Sequence, residues 1–299
     1  EMIDIDTWES FREATWQTLL LGNGASIALH NEFSYSTLHG VADAKGLLPT
    51  TAPIFAKIGT TDFEHVLLAC WYAEQVNMAL GTTSAGISAA YAEVRAALID
   101  AVHTVHPEHA DIAADLVRVA SFSSTFQTVV SLNYDLTLYW AMLLFNAAKG
   151  SWFKDAFHHG EFQRDWEYLR EPYGHAVGAT LVFFPHGCLS LARDHIGDET
   201  KIAAPTLATG DLLETITRKW SSGHYVPVFV SEGTSKEKVA AIRRSHYLTN
   251  VYEQVLPELG EGLVVYGWSF DERDQHILDA ISANPPKRMA VSVYTVAGH

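Results

Sequence analysis

Leu19-Leu20-Leu21-Gly22-Asn23-Gly24-Ala25-Ser26 is the most telling run of this chain. An apolar stretch stops abruptly at glycines and small polar residues, as a buried strand does where it breaks into a tight turn. Such a turn uncovers backbone N–H groups and lets a pyrophosphate come close to the main chain. The third glycine of the common dinucleotide fingerprint is absent, and a Gly-x-Gly after an apolar run is also an ordinary turn. Later apolar runs end in the same way. Residues 127–132 enter Asn133-Tyr134-Asp135, and residues 179–184 enter Pro185-His186-Gly187. Residues 225–230 enter Ser231-Glu232-Gly233, and residues 262–266 enter Gly267-Trp268-Ser269-Phe270. Residues 289–294 form a last candidate strand.

Helical patterns fill the intervals. Residues 7–17 predict a helix feeding the first strand. Residues 62–80 carry Phe63, Val66, Leu67, Cys70, Trp71 and Val76 at helical spacing. Residues 87–106 form a second such segment, stopped by Pro107, and residues 111–120 a third. An apolar helix over 136–148 follows Asp135. This alternation predicts an α/β fold: one Rossmann-like domain over 1–299, its parallel sheet covered on both faces, with a helical insertion or subdomain over about 60–122. Ligands of such sheets bind beyond the carboxyl ends of the strands, where every polar cluster named above falls. Residues 149–173 are rich in aromatics and charges, including Trp152, Phe153, Phe157, Phe162 and Trp166, and read as a covering loop region.

Composition narrows the partners. Hydrophobic residues make up 48% of the 299 and charged residues 18%, the balance of a globular chain. Twenty Lys plus Arg against 35 Asp plus Glu give a formal net charge of −15, which disfavours a broad grip on nucleic acid or anionic lipid. Cys70 and Cys188 make neither a disulfide framework nor a four-thiolate zinc site, which favours the cytoplasm. Acidic residues stand where a signal peptide would be basic, and the greasiest run, 136–148, is too short for a bilayer. Glu1 precedes Met2 and the chain stops soon after a strand-like run, as expected of a trimmed piece.

Five elements in order carry a family resemblance: Gly22-Asn23-Gly24-Ala25-Ser26, Leu132-Asn133-Tyr134-Asp135, His186-Gly187, Val228-Phe229-Val230-Ser231-Glu232 and Gly267-Trp268-Ser269-Phe270. They resemble the Gly-Ala-Gly-x-Ser loop, Gln-Asn-Ile-Asp strand end, His-Gly pair, Phe-Gly-Glu strand end and Gly-Thr-Ser turn of sirtuins. The chain looks closest to divergent bacterial sirtuin-like proteins, some of them NAD-hydrolysing effectors of antiphage defence. Residues 229–236 and 241–248 also look like a bacterial sirtuin-related family of undefined function. Deacylating sirtuins carry a four-cysteine zinc ribbon after the His-Gly pair. Between Gly187 and Val226 this chain has Cys188 alone, so no metal is expected and deacylation is disfavoured.

The resemblance implies an NAD+ glycohydrolase that releases nicotinamide and ADP-ribose. Asn133 would orient water or the ribose hydroxyls, His186 would be the general base, and Asp135 would hold the nicotinamide amide or fix its loop. Gly22, Asn23, Gly24, Ala25 and Ser26 would cradle phosphate, with Gly267 and Ser269 adding donors. An NAD-depleting activity needs restraint, so a homo-oligomer and a regulatory partner such as an ATPase or a phage trigger are expected. Residues 152–173 are a candidate contact surface.

Plainer readings stand beside these. Asp135 also fits a helix N-cap, His186 a structural histidine, Ser269 and Asp271 caps of the last helix, and Asp62-Phe63-Glu64 an acidic helix start. His103, His106 and His109 are spaced by three, but Pro107 interrupts them and no carboxylate or thiolate pattern supports a metal. His158-His159 carries no further signal. Two other functions remain open: a sensor that binds NAD or ADP-ribose without turnover, and a Rossmann dehydrogenase. The latter needs an acidic ribose-binding residue after a second strand, and Asp43 stands at that distance although 38–42 makes a poor strand.

Overall fold

The computed structural model describes residues 6–34, 37–194, 196–203, 211–230 and 233–293. A short helix α1 (Trp8–Phe11) precedes strand β1 (Thr18–Leu21) and helix α2 (Asn23–Ile27). Helices α3 (Leu38–Ala44), α4 (Ala52–Ile58), α5 (Phe63–Leu80), α6 (Ala85–Val105) and α7 (His109–Ser123) then lead to β2 (Thr128–Ser131) and α8 (Thr137–Lys149). Short strands β3 (Phe153–Lys154), β4 (Phe157–His158) and β5 (Glu161–Phe162) lie in the aromatic-rich segment. Next come β6 (Thr180–Phe183), β7 (Gly187–Asp194), β8 (Glu199–Lys201), α9 (Leu212–Ser221) and β9 (Tyr225–Phe229). The chain continues through α10 (Ser235–Ile242), α11 (His246–Asn250), β10 (Gly262–Tyr266), α12 (Gln275–Ser282) and β11 (Arg288–Val291).

Six strands form one parallel sheet in the order β11-β10-β1-β2-β6-β3. The fold is therefore α/β, with a Rossmann-like parallel sheet and extra helices. All residues of β1, β2 and β6 are buried, which is why their centres read as apolar runs with no polar face. Each of their fully buried leucines contributes roughly 2 kcal/mol of burial. Their side chains alternate between two faces. Leu20, Val130, Leu132, Leu263 and Val265 pack with Ile277 and Ile281 of α12, whereas Leu19, Leu21, Val129 and Val264 join the core on the other face.

Two expectations change, and one alternative loses the strand it needed. The helix over 7–17 is only α1, because the Trp16 indole N–H donates to the Phe11 carbonyl at 2.9 Å and turns the chain there. The strand over 225–230 is real, but it belongs to a second sheet, β4-β5-β8-β7-β9, where it runs antiparallel to β7. Pro227 cannot donate to a ladder, and an edge position such as that of β9 tolerates it. Ser231 and Glu232, the polar end of that run, lie outside the described residues, as does Tyr294. Lastly, residues 38–42 lie in α3, so Asp43 sits on a helix and not at a strand end.

A side-chain cap and a glycine bound α5. Asp62 Oδ1 accepts the Glu64 N–H at 2.9 Å and starts α5 as the acidic-start reading has it. Gly81, at φ +67°, ends it in the left-handed conformation that a side chain disfavours. Among the described residues, no helix is long and apolar enough to cross a membrane.

Candidate functional site at the strand ends

The turns after β1 and β10 interlock. Gly22 N–H donates to the Tyr266 carbonyl at 2.9 Å, and Gly24 N–H to the Gly267 carbonyl at 2.8 Å. A Cβ on Gly22 would lie 2.5 Å from Trp268 Cα, and one on Gly267, at φ +72°, would lie 2.3 Å from the Ala25 nitrogen. These glycines are required by one another. The expectation that Gly22 and Gly24 cradle a phosphate through free donors is corrected accordingly, since both N–H groups serve the loop contact. Gly267 N–H likewise donates to Ser292 Oγ at 2.9 Å. Ser269 is exposed and does not line the cleft described next, and Asn23 is exposed, with Nδ2 3.3 Å from the Phe33 carbonyl. Asp271 caps the short turn before α12 by accepting Arg273 N–H at 2.9 Å.

Beside this interlock opens a cleft of about 1200 Å³. Its polar end is formed by Ala25, Ser26, Ser131, Asn133 and Asp135, and its walls include Trp8, Phe11, Trp16, Phe122, Tyr266 and Met289. Asn133 is fixed by two donations from Nδ2, to the Gly22 carbonyl at 3.0 Å and to Ser26 Oγ at 2.9 Å. Among the described residues nothing donates to its Oδ1. Ser26 in turn donates to Asp135 Oδ2 at 2.6 Å, and Asp135 Oδ1 accepts the Thr137 N–H at 2.8 Å. Asp135 stands one residue ahead of Leu136, the N-cap of α8, and not at the cap itself; it holds the first helical N–H and also anchors the Ser26–Asn133 network. The chain brings Ser26, Asn133 and Asp135 together because β1 and β2 are adjacent parallel strands whose ends align, Leu21 beside Ser131.

His106 secures the same corner from behind. It is buried, its Nδ1 lies 2.9 Å from the Pro107 carbonyl, and its Nε2 accepts the Leu136 N–H at 3.0 Å. That pattern assigns the neutral ring with the proton on Nδ1. Burial pulls its pKa below the usual value, against the opposing pull of Asp135. His103 meets Thr217 Oγ1 at 3.3 Å, whereas His106 and His109 both pack edge-on against Trp140.

His186 sits at the same end of the sheet but is not among the residues lining the cleft. It is buried, hydrogen-bonds the Leu132 backbone, and places Nε2 2.9 Å from His276 Nε2. Its carbonyl accepts Val230 N–H at 2.7 Å, so the β9 end does reach this point. Gly187, at φ +71°, lets the chain turn from β6 into β7, since a Cβ there would lie 2.1 Å from the Val228 carbonyl oxygen. Around His186 lie Asp274 Oδ1 at 3.9 Å and, on that same oxygen, Lys238 Nζ at 2.6 Å. Burial and the Lys238 charge push the His186 pKa down to about 3, and burial takes His276 to about 4. Both rings are neutral at pH 7. Asp274 is pushed up by burial but held below its usual value by His186 and Lys238.

Among the described residues, His186, Asp274 and His276 are the one group whose ligand atoms all lie within 4.8 Å of one another, as a metal site requires. The Lys238 ammonium already supplies the positive charge there. Cys188 is buried and its thiol is pushed up to about 11, which makes it an inert core residue. Asp274, His276, Lys238 and Ser235 were not legible as site residues: they come from two separate helical regions and share no local motif.

A six-stranded parallel sheet with a cleft at its carboxyl edge defines the class as Rossmann-like α/β. Within that class the chain belongs to the family described as Domain of unknown function (DUF4917), which matches residues 19–297. No curated protein matches the chain.

Proposed function

We propose that this protein is an NAD+ glycohydrolase. The observation that carries the reading is the Ser26–Asn133–Asp135 network, which holds one amide rigidly at the polar end of a cleft large enough for a dinucleotide. Cutting the nicotinamide–ribose bond passes through an oxocarbenium-like centre, and catalysis there depends on placing a water at the anomeric carbon and sheltering the cation. Asn133 Oδ1 is the acceptor left to hold that water or a ribose hydroxyl. The aromatic wall of Trp8, Phe11 and Trp16 suits a flat base and excludes bulk water. The sirtuin-like order of motifs supports the same reading, and with it restraint by self-association or a partner in an antiphage setting.

The test is direct. Purified protein, alone and in its assembled forms, is incubated with NAD+ and nicotinamide is measured by chromatography. Wild type is expected to release it, and Asn133→Ala to fall by roughly two to four orders of magnitude. Absence of nicotinamide in every assembly state removes the reading. One observation favours a second reading, in which NAD or ADP-ribose is bound without turnover: both nitrogens of His186 already have partners within the protein. Calorimetric binding of NAD+ with no product would establish that case.

A further inference from the structure

Hydrolysis of NAD+ produces a proton. The water O–H bond breaks while its oxygen bonds the anomeric carbon. The electron pair of the C–N bond returns to a pyridinium nitrogen, so nicotinamide leaves neutral and takes no proton. The proton needs a route to solvent, and a buried histidine flanked by a lysine is a poor place to store it.

The geometry points to Ser235, His276 and His186 as a proton-exit wire that starts at the end of β2 and leaves toward α10. This rests on the hydrolase reading and deepens it. His186 Nε2 is 2.9 Å from His276 Nε2, and His276 Nδ1 is 3.3 Å from Ser235 Oγ. Ser235 Oγ also accepts the His276 backbone N–H at 3.1 Å, which leaves its own hydroxyl hydrogen for His276 Nδ1. With His186 donating to the Leu132 carbonyl, one assignment satisfies every contact: Ser235 to His276, His276 to His186, His186 to Leu132. Leu132 directly precedes Asn133, so the wire begins one residue along the chain from the cleft amide. Ser235 is only partly buried, so its far end reaches solvent.

The mirrored assignment satisfies the two inner contacts equally well and leaves the outer nitrogen of His186 bare. The attacking water must donate to that nitrogen across the rim of the cleft, which His186 does not itself line, and this donation selects the mirrored assignment. When the water is cleaved, its proton passes to His186, the His186 Nε2 proton to His276, the His276 Nδ1 proton to Ser235, and the Ser235 hydroxyl proton to solvent. The wire ends in its resting assignment with one proton exported. The charged and titratable groups facing it are Lys238, Asp274 and Asp279, with the Tyr252 ring 6.1 Å from His276. Lys238 opposes a second positive charge on either ring, so the proton moves on.

The experiment uses the full chain in its active assembly with NAD+ as substrate. His276→Gln keeps a donor toward His186 but cannot relay. It is expected to lower kcat about 100-fold with KM unchanged, and to recover rate as imidazole buffer is raised. Ser235→Ala should become buffer-dependent in the same way. A His276→Gln rate within twofold of wild type overturns the wire, and so does a loss that buffer cannot restore. Nitrogen NMR of the resting protein gives a readout independent of turnover: His186 protonated on Nδ1 and His276 on Nε2, with charged rings at pH 7 overturning the assignment. If wild type releases no nicotinamide, the hydrolase reading fails and takes the wire's role with it. Release by wild type with an unaffected His276→Gln sinks the wire alone.

Discussion

Acidifying the protein from pH 6.5 toward pH 5 should destabilise it steeply, and the size of the effect follows from its buried imidazoles. His106, His186 and His276 are all buried and all held below the ordinary histidine value of 6.5, His186 at about 3 and His276 at about 4. A depressed folded-state pKa means that the unfolded chain takes up protons first. Stability from these groups is complete above 6.5 and is lost as the pH falls toward the folded values. Each proton bound only by the unfolded state costs about 1.4 kcal/mol per pH unit. Glu64 works the other way. Burial and the neighbouring Asp62 raise its carboxyl to about 8, so its contribution is complete below 4.5 and lost as the pH rises through 8. Over the window from 6.5 to 4.5, the His186 and His276 protons against the one Glu64 proton leave a net of one, or about 1.4 kcal/mol per pH unit once the histidines are fully titrated in the unfolded chain, and His106 adds in the same direction. Asp62, also raised by burial, adds to the glutamate side at the acid end. Urea denaturation at half-unit pH steps measures this through the midpoint at constant slope. A midpoint that stays flat between pH 7 and pH 5 would show that the imidazoles are not held neutral, and the tautomer assignments at His106 and His186 would go with it.

Smaller perturbations test the remaining contacts. Gly267→Ala forces a side chain into φ +72° and toward the Ala25 nitrogen, so about 1–2 kcal/mol of backbone strain and about 1–3 kcal/mol of overpacking should appear in a urea titration. A loss under about 1 kcal/mol would mean that the two turns do not interlock. Lys238→Met leaves the largely buried Asp274 without its ammonium and should cost about 3 kcal/mol at pH 7, while raising the His186 pKa in a proton-NMR titration. Asn133→Asp replaces the donor facing the Gly22 carbonyl by an acceptor; roughly 1–3 kcal/mol of stability should be lost, and a melting temperature equal to wild type would contradict the amide orientation.

Much of the sheet can be read from residues because it is buried on both faces. Leu19-Leu20-Leu21 and Val129-Val130 have no polar face to show, and short apolar runs that give way to glycine, asparagine or proline mark β1, β2, β6 and β10. The same signature hides which sheet a strand joins. Tyr225-Val226-Pro227-Val228-Phe229 is as apolar as the others, yet its partner is β7, a strand whose Gly-Cys-Leu-Ser-Leu-Ala-Arg-Asp sequence announces little. Pro227 alone hints at an edge. The site divides along the same line. Asn133, Asp135 and Ser26 each follow a strand of known neighbour, so their meeting is a consequence of parallel register.

The partners of His186 obey no such rule, and that is why their placement carries the mechanistic weight. His276 arrives on a helix packed against the face of the sheet opposite the core that holds Leu19 and Leu21, and Lys238 and Ser235 arrive on another. Only tertiary packing brings these groups within hydrogen-bonding distance, and it does so without leaving either ring charged. A histidine kept merely for structure needs one donor contact and an apolar shell, as Pro107 and Leu136 supply for His106 on its two nitrogens. At His186 the second contact is another imidazole, whose far nitrogen meets a serine near the surface. Two imidazoles sharing one hydrogen bond can exchange the positions of their protons with no change in net charge, which a carbonyl partner cannot do. That difference separates His186 from His106, and it is the reason to look for proton movement at the one and not at the other.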